Sequence, residues 1–151
     1  MTIATDRVDP ELVEKPRRWN IQFIRKFMIV FGLISSVFDY LTFGALLYLL
    51  NATTAQFRTG WFQESVISAA AIVLVIRSRQ PFFRSRPSPY LLAATLGIIG
   101  LTLIFPYTPI AGLFGFRPLP LEFWLMLGAI LFLYMSAAEI AKRVFYKRVK
   151  F

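Results

Sequence analysis

The sequence predicts an all-α membrane protein with four transmembrane helices and with its N and C termini cytoplasmic. Three observations carry that prediction. The 151 residues are 57% hydrophobic and 17% aromatic with mean hydropathy +0.60, too apolar for a soluble domain of this length. The apolar residues fall into four runs, each long enough as a helix to cross most or all of about 30 Å of hydrocarbon. The basic residues, which set a net charge of +9, lie in short clusters between those runs. Such clusters mark topology and form no single basic face for nucleic acid, so no nucleic-acid partner is expected.

Residues 1–26 form a charged cytoplasmic or interfacial segment, in which Asp6, Asp9, Glu11 and Glu14 give way to Lys15, Arg17, Arg18, Arg25 and Lys26. Basic residues just before a span belong on the cytoplasmic side, and Trp19, Phe23 and Ile24 suit the headgroup layer. The membrane domain is expected over residues 27–141, with spans at about 27–50, 61–76, 90–105 and 121–141.

The first span, FMIVFGLISSVFDYLTFGALLYLL, carries a carboxylate, Asp39, at its middle. A charge there costs at least ~2.5 kcal/mol on insertion scales, so it must face protein, water or a cation. Ser35, Ser36, Asp39 and Thr42 fall on one side of the helix and form a polar stripe.

NATTAQFRTG at 51–60 reads as a polar outer connection. The second span begins at Trp61 and contains Ser65, Ser68, Ala69, Ala70 and Ala71, small residues that permit close helix approach in lipid. Glu64 falls in the expected first turn of this helix, where the N-terminal dipole favours a carboxylate; a cation at the outer mouth is the functional alternative.

RSRQPFFRSRPSP at 77–89 has four arginines and three prolines and is held at the cytoplasmic face. The third span offers Ala93 and Gly97 as a small-residue packing pair. Residues 106–120, rich in Pro and Gly, return to the outer interface. The fourth span opens with Glu122 in its first turn and ends near Glu139, which has Lys142 and Arg143 three and four residues on as partners. Residues 142–151 form a basic cytoplasmic tail. Fifteen of the seventeen Lys and Arg thus fall inside, and Arg58 and Arg117 fall outside.

The chemistry is narrow. Without Cys or His there are no disulfides, thiolates or imidazoles, and the sequence holds no phosphate-binding GxxxxGK[ST], HExxH or nucleophile elbow. No catalytic or cofactor-binding residue is expected. The candidate polar membrane residues are Asp39, Ser35, Ser36, Thr42 and Glu64; oxygen ligands suit a hard cation such as magnesium, but this set is not a complete metal site.

Several strings occur together: DRVDPELVEKPRRWN, FGLISSVFDYLTF, FRTGWFQES, IRSRQPFFRSRPS and PLPLEFW. In order and spacing they resemble the carboxyl-terminal membrane region of bacterial magnesium-transporting P-type ATPases, over nearly the whole chain. The resemblance implies that the four spans correspond to helices seven to ten of a pump in the bacterial inner membrane. It also implies that Asp6 and Asp9 lie in the coupling loop after helix six. The aspartyl-phosphate motif DKTGT and the nucleotide-binding domain of such pumps have no counterpart in this sequence.

The function expected is therefore that of a membrane support domain, a carboxyl-terminal piece of a pump without transport or ATP hydrolysis of its own. Its partners would be the lipid bilayer and the remaining parts of the pump, and magnesium enters through the resemblance alone. Two alternatives belong to other classes: a free-standing membrane scaffold or regulator, and a small oligomeric cation channel built around Asp39.

Overall fold

The computed structural model describes Asp6 and residues 20–78, 80–81 and 86–148, with Arg148 described by its backbone. Asp9 and Trp19 lie outside the described residues. Four helices follow one another: α1 (Ile21–Gly44), which runs on as a π-helical turn (Ala45–Leu49); α2 (Thr54–Ile76); α3 (Pro89–Ile104); and α4 (Leu121–Arg148). Two short 3-10 segments, Phe105–Tyr107 and Pro109–Phe114, link α3 to α4. Four helical stretches, Ile21–Leu49, Thr54–Ile76, Pro89–Tyr107 and Leu121–Lys147, are long and apolar enough to cross a membrane.

The helix starts are set by polar caps. Asn20 accepts a hydrogen bond from the Phe23 amide at 3.1 Å and starts α1. Thr53 and Gln56 form a reciprocal capping box, with Thr53 N donating to Gln56 Oε1 at 3.0 Å, and so start α2 at Thr54. Ser88 caps α3, with Pro89 at the first helical position. Gly115, at φ 68°, ends the second 3-10 segment in a left-handed conformation that a glycine adopts without a Cβ penalty.

The helices run past three boundaries drawn from hydropathy. The helix of the first span begins at Ile21 rather than 27, and α2 begins at Thr54 rather than 61, which reduces the expected connection at 51–60 to residues 50–53. The basic tail expected at 142–151 is helical through Arg148. In each case the helix extends past its apolar window into residues that cap it or pair with a neighbour.

In the bundle α2 packs against α1, α3 and α4, and α4 also packs along α1. One core cluster, near the α1–α2 connection, joins Leu46, Ile67, Leu119, Phe123 and Leu127; the other, toward the basic end, joins Phe31, Val75 and Ala138. Gly60 allows the close approach in the first: a Cβ there would lie 2.8 Å from Phe123 Cε2 and 2.9 Å from Leu46 Cδ2. Phe23 packs edge-on to Phe145 at 5.2 Å, so it joins α1 to α4. The expected packing pair Ala93 and Gly97 is exposed, because α3 turns Leu91, Thr95 and Thr102 inward instead. Large apolar side chains such as Leu33, Val37, Leu96 and Leu133 cover the outside, the surface a bilayer requires.

Candidate functional site

Two groups of polar residues stand out against this apolar frame. The first is intramembrane. Starting α2 at Thr54 moves Glu64 out of the first turn and into the middle of the helix, where it is 1% exposed. The helix-start reading of Glu64 is therefore corrected: the dipole at a helix end falls off within one turn, and Glu64 lies beyond it.

Glu64 faces Asp39 of α1 and Ser68 of its own helix, and its Oε2 has no hydrogen-bond partner. Asp39 and Ser35 line a cavity of about 300 Å³ together with Ser65, Ser68 and Tyr134; Phe31, Ala69 and Ile72 supply its apolar walls. Tyr134 of α4 lines the cavity with Ser35 of α1. Ser68 donates to the Ser65 carbonyl at 3.2 Å.

The structure thus divides the expected stripe. Ser35 and Asp39 meet Glu64, whereas Thr42 is fully buried and donates to the Phe38 carbonyl of its own helix at 3.1 Å. Ser36 is exposed on the outer side of α1. Sequence reasoning missed Tyr134, and it took Ser65 and Ser68 for packing residues alone. The signal was present in the spacing, since Glu64 and Ser68 are four apart and share a helix face. Among the described residues no group of three or more carboxylates gathers as a metal cluster. The pair with its neighbouring hydroxyls supplies side-chain oxygens alone, the donor type a hard cation takes.

The second group lies at the basic end. Asp6 Oδ2 pairs with Arg77 Nη1 at 2.7 Å, and Asp6 Oδ1 accepts the Ser88 amide at 2.7 Å, so one carboxylate joins the end of α2 to the start of α3. Lys142, 1% exposed, donates to the carbonyls of Val75 at 2.9 Å and Gln80 at 2.8 Å and meets Glu139 Oε2 at 2.9 Å. Its ammonium thereby makes two hydrogen bonds to backbone carbonyls and one ion pair to a carboxylate. Glu139 also pairs with Arg143 at 3.4 Å, and Glu122 sits in the first turn of α4, both at their expected places.

At the opposite end Arg58 donates to the Phe114 carbonyl at 3.2 Å and the Arg117 amide donates to Thr59 Oγ1 at 3.0 Å. These bonds fasten the 3-10 region to α2. Gln63, also buried, donates to the Thr102 carbonyl at 3.1 Å and ties α2 to α3.

Comparison with known proteins agrees with this architecture. Residues 1–144 match the family model described as cation transporting ATPase, C-terminus. The chain is 37% identical over 153 aligned positions to the magnesium-transporting ATPase, P-type 1, of Salmonella typhimurium strain LT2, covering 98% of this chain and 17% of that protein. It is 36% identical, with the same coverage, to the protein of that name from Escherichia coli K12. The chain thus spans 17% of the length of these curated relatives. With four apolar helices in sequence, and with the match running over nearly all of them, the chain belongs to the family of cation-transporting P-type ATPase carboxyl-terminal membrane domains.

Proposed function

We propose that this chain acts as the membrane support domain of a magnesium-transporting P-type pump in a bacterial inner membrane, with its N and C termini on the cytoplasmic side. The observation that carries the proposal is the match of 98% of the chain to one 17% stretch of pumps whose names state magnesium transport. The placement of fifteen of seventeen basic residues in segments at one side supports the orientation. Asp6 supports a coupling role for the segment before α1, because its carboxylate grips both ends of the α2–α3 loop.

In this role the bundle neither binds ATP nor is phosphorylated, since its sequence holds none of the motifs for those steps. The test is complementation in two pieces. A magnesium-uptake-deficient strain would express the Salmonella relative cut before the matched region, together with this chain. Growth at low magnesium is expected with both pieces and with neither alone. Rescue by this chain alone, or failure of the two pieces to co-purify, would overturn the proposal.

A further inference from the structure

The end of the bundle away from the basic clusters carries an apolar edge that belongs to no span. Between Arg86 and Arg117 the sequence holds no charged residue. Every third residue from Leu101 through Ile104, Tyr107 and Ile110 to Leu113 is more than half exposed, and Leu113 reaches 86%. Residues three apart stack on one side of a 3-10 turn, so the exposed side of α3 is continued past its last turn.

Lengths and contacts set the depth of this edge. α3 has 16 residues and at about 1.5 Å each falls short of about 30 Å of hydrocarbon, so Phe105–Tyr107, at about 2 Å per residue, brings the chain to the far boundary. The second 3-10 segment does not climb beyond it. The Phe114 and Phe116 rings return to within 5.9 and 5.6 Å of Phe105, Phe116 lies 5.1 Å from Phe62 of α2, and Arg58 of α2 donates to the Phe114 carbonyl.

The backbone here also suits a medium without water. Pro106 and Pro109 have no N–H, and the amides of Thr108, Ala111, Gly115 and Phe116 donate to carbonyls of the same stretch. The Thr108 hydroxyl donates to the Phe105 carbonyl at 2.7 Å. Over residues 101–114 Tyr107 is the one exposed residue with a polar side chain, so the edge lacks the polar rim of a protein interface.

We infer that the segment Pro109–Phe114 is a non-spanning arm whose exposed side chains, Ile110, Leu113 and Phe114, are seated in the acyl chains of the outer leaflet. The choice of leaflet rests on the orientation proposed above; contact with acyl chains does not. Ala111, 2% exposed, and the Arg58 bond hold the other side of the arm to the bundle, so the bilayer fixes the height of the outer end of α2.

The test is a depth measurement with nitroxide labels on the chain in vesicles of phosphatidylethanolamine and phosphatidylglycerol. With no native cysteine, Leu113→Cys, Ile110→Cys, Leu96→Cys in α3 and Arg86→Cys in the loop between α2 and α3, all at exposed positions, each carry one label. Relaxation is read with oxygen, which concentrates in acyl chains, and with a nickel chelate, which stays in water. The oxygen-to-nickel ratio at Leu113 and Ile110 is expected to exceed that at Arg86 about tenfold, since a polar chelate is excluded from hydrocarbon, with Leu96, deeper in its span, higher still.

A ratio at Leu113 or Ile110 equal to that at Arg86 would put the arm in water and overturn the inference. Shielding of either label from both reagents would mean that protein covers the arm, a second copy where spin-spin broadening fades on dilution with unlabelled chain, and would overturn it too. Either result leaves the support role standing, because the measurement involves no other part of a pump.

Discussion

Lys142 and Glu64 are equally buried, each 1% exposed, yet they stand in opposite situations. The ammonium of Lys142 meets three oxygens from α2, the following loop and α4. Glu64 faces a second carboxylate and keeps an oxygen without a partner. Burial alone therefore does not tell a fastener from a site. The basic end gathers one buried ammonium among oxygens of three segments and holds the bundle together from within; the cavity beside Asp39 sets two carboxylates near each other with no cation in its lining.

That contrast breaks most readily at Lys142. Lys142→Met leaves the Val75 and Gln80 carbonyls without their donor and Glu139 without its closest cation. The expected loss is about 3–5 kcal/mol, read as a large fall in the thermal midpoint of the purified chain in detergent. A midpoint near that of the parent would show that the ammonium contributes little to holding the helices. Asp6→Ala removes two short hydrogen bonds, one of them to a guanidinium, and is expected to cost about 1.5–3 kcal/mol. Asp6→Asn, which still accepts from the Ser88 amide, should retain part of that loss on the same measurement.

Gly60→Ala tests the dry packing that lies away from both polar regions. The added methyl meets Phe123 and Leu46 below ordinary contact distance, so overpacking should cost about 1–3 kcal/mol. A neutral result would mean that these side chains swing aside and that the contact is loose. The smallest effect is expected at Asp39. In the isolated chain, Asp39→Asn removes a charge that has no cation beside it, and the stability change should stay within about 0.6 kcal/mol. A loss as large as that of Lys142→Met would erase the distinction between the two regions.

Hydropathy and charge made the four spans legible because lipid demands long apolar windows. They misplaced Glu64 because the window opens at Trp61, whereas the helix opens at the Thr53–Gln56 capping box, through polar residues that hydropathy counts as loop. The T-x-x-Q pattern was readable and would have put Glu64 in the helix interior. Lys142 was read as a tail charge, although Ala138 and Phe145, on the same helical face, are both buried. The meeting of Asp39 with Glu64 and of Tyr134 with Ser35 depends on how three helices are rotated about their axes, which no single-helix pattern contains.

The two fastenings at the basic end also differ in when they become available during synthesis. The Asp6 contacts need only the chain through Ser88, whereas those of Lys142 wait for nearly all of α4. Until then the carbonyls of Val75 and Gln80 lack their donor, and the loop between α2 and α3 is held from one side. A ribosome-bound chain stopped before Lys142 should expose that loop to protease, and release of the full helix should protect it. The fastening between α2 and α4 is then closed only as α4 emerges, with a buried lysine as its key.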